Sequence, residues 1–160
     1  MRIRPIDIKD NRELSIVIRS FLIEMGVPKT GTAYEDEELD AMYEAYLGPR
    51  TVYYVVTKEK KILGGGGIAP LKDGDPSVCE LQKMYFLPKA RGKGFGQKLI
   101  DACINFAKSN DFKLCYIETM PNMEAAQRLY KKQVVPMQKQ MLYLMFKIKN
   151  FSPKAPFMFH

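Results

Sequence analysis

The stretch Arg91-Gly92-Lys93-Gly94-Phe95-Gly96 places three residues without side chains and two cationic ones directly ahead of an amphipathic helical pattern. Before it, Val78 to Leu87 is an apolar run suited to a pleated strand, and Pro88, which has no N–H to give a ladder, stops it. The first turn of a helix exposes backbone N–H groups that have no intrahelical partner, and the macrodipole makes that end partly positive. Glycines there let an anion approach the backbone, so strand, glycine turn and helix together form a cradle for a phosphate or diphosphate. Arg91 and Lys93 would add positive charge. Two common phosphate loops do not fit. A dinucleotide fingerprint G-x-G-x-x-G begun at Gly92 needs glycine where Gln97 stands, and begun at Gly94 needs it at Leu99. A P-loop needs Ser or Thr after its Gly-Lys, and here Gly94 follows Lys93.

What the six residues do resemble is the acetyl-CoA signature [RQ]-x-x-G-x-[GA] of the GNAT superfamily of N-acetyltransferases. That family carries the motif after its fourth strand and at the start of its third helix, the same place as here. The later segment Pro121 to Tyr130, P-N-M-E-A-A-Q-R-L-Y, is similar to the family's helix after the fifth strand, which ends in Leu-Tyr. The resemblance implies a single-domain α/β GNAT fold over residues 1–150. Its sheet would be mixed and mostly antiparallel, with a central parallel pair formed by the fourth and fifth strands and flanked by helices. Residues 151–160 would be a C-terminal tail.

The resemblance also assigns roles. Acetyl-CoA is the expected cosubstrate, with no metal, and the acceptor is a primary amine of a small molecule or peptide. The diphosphate would sit on the amides of Arg91, Gly92, Lys93, Gly94, Phe95 and Gly96, with Gln97 adjoining. The pantetheine arm and the developing oxyanion would use the main chain around Met84, Tyr85 and Phe86. An alkyl ammonium titrates near about 10.4, so a base must take its proton at neutral pH. Glu80, eleven residues before Arg91, stands where the histone-acetylating branch carries its glutamate base; Glu118 is the second candidate. The bland alternative for Glu80 is a partner for Lys83 or Lys113. Tyr130 matches the tyrosine that protonates the departing thiolate, and its bland alternative is a core residue. Two departures from the family pattern bear on the site. Asn122 falls one place early for a CoA contact, with Met123 where the family has Asn, and Gln133-Val134-Val135 replaces the Gly-Phe that usually follows Leu-Tyr.

These residues need a scaffold, and the remaining pattern supplies one. Arg2 to Asp7 is a short strand. Asp10 and Glu13 have capping-box spacing ahead of Leu14, Val17, Ile18, Phe21 and Met25, which share one helical face that Gly26 ends. Val27 to Tyr34 reads as a loop. A second helix is expected from Glu35 to Leu47, its acidic start favoured by the dipole, with Leu39, Met42, Tyr43, Tyr46 and Leu47 buried. Thr51 to Thr57 and Ile62 to Leu71 read as a hairpin. The glycine run Gly64 to Gly67 calls for close packing or a ligand beside the backbone. After the motif, Phe95, Leu99, Ile100, Cys103, Phe106 and Ala107 form the inner face of a helix. Lys113 to Thr119 is a further strand, joined by a right-handed crossover. Asn122 is the expected N-cap of the next helix. Val134-Val135 and Met141 to Ile148 are expected as terminal strands.

Composition fits one domain of 160 residues. A net charge of +7 suits a phosphate-bearing cosubstrate; a nucleic-acid partner is weighed against, since aromatic residues do not interleave the basic ones. Cys79, Cys103 and Cys115 lack metal or redox spacing and read as reduced core thiols in a cytoplasmic chain. The opening M-R-I-R-P-I-D lacks the apolar stretch of a signal peptide, and no run approaches membrane-spanning length. A monomer or homodimer is expected. The reading from another class is a non-catalytic acetyl-CoA sensor or scaffold.

Overall fold

The computed structural model describes residues 1–133 and the backbone of 143–148. Along the chain run β1 (Arg2–Pro5), α1 (Asn11–Glu24), the single turn α2 (Met42–Ala45), β2 (Val52–Lys58) and β3 (Lys61–Pro70). Then come β4 (Val78–Phe86), α3 (Phe95–Ser109), β5 (Leu114–Thr119), α4 (Glu124–Gln133) and β6 (Tyr143–Ile148). One sheet holds the strands in sequence order. β1 to β4 pair antiparallel, whereas β4–β5 and β5–β6 are parallel. The expected mixed, mostly antiparallel sheet with its parallel β4/β5 pair is therefore present. Of the two expected terminal strands, Val134-Val135 lies outside the described residues, as does the tail 151–160.

The sheet divides two cores. On one face α1 and α2 bury Leu14, Ile18, Leu22, Met42, Tyr46 and Tyr85; on the other α3 buries Leu99, Ile100 and Cys103 against Ile68, Leu81 and Met84. The inner face of α3 follows its helical period, and Asp111, at φ +62°, breaks the chain away after it. The three cysteines are buried and free of disulfides, as core thiols should be.

Three local expectations are corrected. The capping box forms one turn early. Asp7 caps the short turn before α1, while the buried Asp10 carboxylate takes the Asp7 amide and both guanidinium nitrogens of Arg4 at 2.6 and 2.9 Å. Glu13 reaches instead across 49 residues to the Ile62 amide. The second helix is broken into turns at Ala33–Glu35, Glu37–Asp40 and α2, because Thr32 and Asp36 each cap a fresh turn and satisfy its donors locally. Leu47, expected in that helix's inner face, is 63% exposed. Finally, α4 starts at Glu124, leaving Asn122 too early to cap it, and the Asn122 amide donates to Met25 O at 3.4 Å.

The glycine run of β3 answers to close packing. A Cβ at Gly65 would lie 2.6 Å from the Tyr53 ring, one at Gly67 2.7 Å from the same ring, and one at Gly66 3.2 Å from Met84. The buried Tyr53 thus lies across β3, and its hydroxyl donates to Lys83 O on β4 at 2.8 Å.

Candidate active site

Lys83 is where β4 departs from regularity. Its φ is +48°, which costs a side-chain-bearing residue energy. Gly65 pairs with Tyr85 but Gly67 pairs with Gln82, so β4 carries one residue more than β3 over this span. Such a bulge bends a strand and exchanges the faces of the residues beyond it. Cys79 and Leu81 point toward α3 before the bulge, and Met84 and Phe86 do so after it. Glu80 and Gln82 lie on the α1/α2 side, joined there by Tyr85, which stacks on Phe21 with ring centroids 4.3 Å apart. The β4–β5 ladder runs from Val78–Leu114 to Leu81–Ile117 and ends immediately before the bulge.

Where the two strands part, a cavity of about 390 Å³ opens. Its walls are Met84 and Phe86 of β4; Arg91, Gly92, Gly94, Gly96 and Gln97 of the motif; the start of α4 with Leu129 and Tyr130; and Phe21 and Met25 at the end of α1. Gly92 and Gly94 have φ of +68° and +77°, and a Cβ on either would meet nothing within 4 Å. The turn therefore spends its glycines on backbone shape and leaves open space beside it, which is the fit a diphosphate needs.

The other expected site residues are placed as follows. Arg91 lines the cavity, but its amide donates to Pro88 O and its guanidinium is held by Glu24 and by Phe86 O. Lys93 is exposed and, like Phe95, stands outside the lining; Phe95 packs beside the α3 core under the Lys98 ammonium. Gln97 lines the cavity while its amide donates to Asp101. Tyr85 sits on the opposite face of β4, in the α1 core. Tyr130 is 3% exposed, and burial, reinforced by Tyr85 and the thiols Cys103 and Cys115, pushes its hydroxyl well above the usual phenol range. It stays protonated at any physiological pH, the form a proton donor requires.

Glu80 is half-buried on the α1/α2 side, where it accepts from Gln82 Nε2 at 2.9 Å; Gln82 in turn accepts from the Tyr46 hydroxyl at 2.7 Å. Lys83, one of its alternative partners, is ion-paired with Glu38 at 2.6 Å. Glu118 accepts from Tyr116 at 3.4 Å. Of the acids expected to open the second helix, Glu35 takes the Gly31 amide, Asp36 caps a single turn through the Glu38 amide, and Glu38 holds the Lys83 ammonium. Among the described residues no group of three or more His, Cys, Asp or Glu is arranged to hold a metal, and no helix is long and apolar enough to cross a membrane.

The Lys83 bulge, the bridge from Glu24 to Arg91, and the contributions of Phe21 and Met25 had no sequence signal. The first is a non-glycine in the left-handed region, and the second joins residues 67 positions apart.

A sheet that parts at a bulge beside a glycine turn and a helix N-terminus defines an α/β protein with an open cavity at the end of a parallel strand pair. The profile of the Acetyltransferase (GNAT) family matches residues 19–134, and the chain belongs to that family. It is 41% identical over 129 residues to the uncharacterized N-acetyltransferase YjgM of Escherichia coli (strain K12), covering 80% of this chain and 77% of that protein. Its fold is similar to that of a GNAT acetyltransferase from Staphylococcus aureus Mu50, with TM-score 0.71 at 21% identity over 82% of this chain and 80% of the other. It is similar also to a predicted acetyltransferase from Clostridium acetobutylicum solved with acetyl-CoA, with TM-score 0.67 at 21% identity over 90% and 95%. The protein is a GNAT-family N-acetyltransferase that uses acetyl-CoA.

Proposed function

We propose that the acceptor is a primary amine of a small molecule or peptide, acetylated directly at the parting of β4 and β5. The observation that carries this reading is the cavity running from the glycine turn past Met84 and Phe86 to Tyr130, opened where the β4–β5 ladder stops. Acetyl-CoA supplies an activated thioester. The motif amides from Gly92 to Gly96 hold its diphosphate, and the main chain at Met84 and Phe86, on the side where β5 has left, receives the pantetheine arm. Glu80, reached through water, takes the proton of the acceptor ammonium. The nitrogen lone pair then forms the C–N bond, the C–S bond breaks, and the second proton that the nitrogen sheds in becoming an amide passes to water. The Met84 amide, turned by the bulge, faces the charge that grows on the carbonyl oxygen. Tyr130 gives its proton to the departing sulfur and regains one from solvent on product release. A buried phenol titrates above a thiol, so this donation depends on close geometry rather than on matched acidity.

The test is thiol release from acetyl-CoA with polyamines, amino acids, aminoglycosides and peptide N-termini, in wild type and Glu80→Gln. Wild type should turn over with at least one class. Glu80→Gln should keep the rise in melting temperature that acetyl-CoA gives. Its rate should fall most at neutral pH and recover as pH approaches the acceptor's own pKa. Wild-type rates at every pH would move the base elsewhere, Glu118 being the next to replace.

A further inference from the structure

The end of α1 is fastened on both sides of the cavity it walls. From one side the Arg91 guanidinium grips Glu24 with two parallel bonds, Nη1–Oε1 at 2.5 Å and Nη2–Oε2 at 2.6 Å, while its Nε donates to Phe86 O at 3.0 Å. From the other, Asn122 Nδ2 reaches Met25 O at 3.4 Å. Between these ties Phe21 and Met25 line the cavity, and Phe21 both stacks on Tyr85 and has the guanidinium carbon 5.7 Å from its centroid. Glu24 and Arg91 side chains are each 36% exposed, so their attraction adds little to folding. What the bidentate grip does supply is direction: a long, flexible side chain is held to one plane by anchors on α1 and β4 at once. A carboxylate beside a diphosphate cradle is otherwise a cost, because it cancels a cation and repels the ligand.

Resting on the cofactor placement above, we propose that Glu24 is a positioning residue of the acetyl-CoA site. It holds Arg91 as a strut between α1 and the glycine turn, so that Arg91 serves the cofactor by shaping the wall and not by offering its charge to the diphosphate.

The strut and simple electrostatics predict opposite signs for Glu24→Gln. This change keeps the side-chain volume and makes the site one unit more positive. If charge governs, acetyl-CoA binds more tightly and its affinity falls more steeply with salt, as the freed Arg91 joins the phosphates. If the strut governs, affinity falls about two- to tenfold, since a long side chain must now be ordered on binding, and the salt dependence is unchanged. S-acetylpantetheine, which has no diphosphate, should then lose affinity by the same factor. Both ligands are titrated against wild type and Glu24→Gln at two salt concentrations, with circular dichroism and ligand-free melting temperature confirming the fold. The double variant Glu24→Gln/Arg91→Gln, whose amides can pair, should regain part of the loss. Tighter or unchanged acetyl-CoA binding in Glu24→Gln overturns the strut. Failure of wild type itself to bind overturns the cofactor placement on which it rests.

Discussion

Gly94→Asp separates the shape of the glycine turn from its electrostatics. Gly94 lies at φ +77° immediately before α3, and a Cβ there meets nothing within 4 Å. Sterics therefore do not forbid a side chain; the cost is the left-handed backbone, roughly 1–2 kcal/mol for an ordinary residue and less for Asn or Asp. Asp also caps a helix N-terminus well, which offsets part of that cost. The folded protein should survive nearly unchanged. Binding should not, because the new carboxylate occupies the open space beside the amides. At ~4 Å and an effective dielectric of ~20, one pair of like charges repels by about 4 kcal/mol. Halving that for solvent leaves about 2 kcal/mol, or roughly thirtyfold in Kd for each phosphate charge so approached. The assay is thermal melting with and without acetyl-CoA, backed by calorimetric titration, with Gly94→Asn as the neutral match in size and backbone preference. Asn should keep most of the ligand-induced shift and Asp should lose it. A full shift in a folded Gly94→Asp variant would refute the placement of the diphosphate, and equal losses in both would mean that bulk decides.

Two further outcomes follow from the packing. Tyr130→Phe keeps the ring that packs beneath α3, so melting temperature and the acetyl-CoA shift should hold while single-turnover acetyl transfer falls about 10²- to 10⁴-fold; a wild-type single-turnover rate would return Tyr130 to the core. Burial opposes the charge of Asp10, but hydrogen bonds from Arg4 and the Asp7 amide outweigh it and hold its carboxyl below the usual range. Its contribution to stability is thus complete above the unfolded value, near about 3.9, and is lost as pH falls through the lower folded value. Asp10→Asn should cost about 1–3 kcal/mol at neutral pH and flatten the acid limb of a urea-stability profile, and an unchanged limb would count against the Arg4–Asp10 pair.

Much of the frame could be read from local chemistry. The helical period of Leu99, Ile100, Cys103 and Ala107 determines which side of α3 is buried, and Lys58 to Lys61 forms the hairpin turn that its polar residues suggest, with Glu59 and Lys60 both at positive φ. Gly92 and Gly94 take the left-handed backbone that a tight turn before a helix needs. Local chemistry also misled. Asp10 and Glu13 have capping-box spacing, yet Arg4 and Ile62 are stronger partners for their carboxylates because they come from β1 and β3, which pack beside the helix. The second helix has an apolar period, but Thr32 and Asp36 satisfy backbone donors at the first two restarts and Asn11 of α1 takes the Tyr43 amide at the third, cutting it into turns. Distance along the chain hid the rest: no window of sequence holds both Glu24 and Arg91.

The glycine run, Tyr53 and the bulge form one device whose parts are legible only together. A side chain at Gly65 or Gly67 would exclude the Tyr53 ring from the face of β3, and without that ring nothing carries a hydroxyl to Lys83 O. That hydrogen bond holds a carbonyl which the strained Lys83 backbone has turned out of the ladder, so it stabilises the bulge where the strand would otherwise prefer regular pairing. The bulge in turn fixes the parity of everything after it. With it, Met84 and Phe86 face the cavity and Tyr85 the α1 core; a regular strand would reverse them, burying Met84 under α1 and presenting Tyr85 to the cosubstrate. Strand alternation counted forward from Cys79 and Leu81 gives that reversed assignment. Only the extra residue at Lys83 corrects it. Gly65 and Gly67 of β3, by making room for the Tyr53 ring, therefore decide which face of β4 lines the cavity.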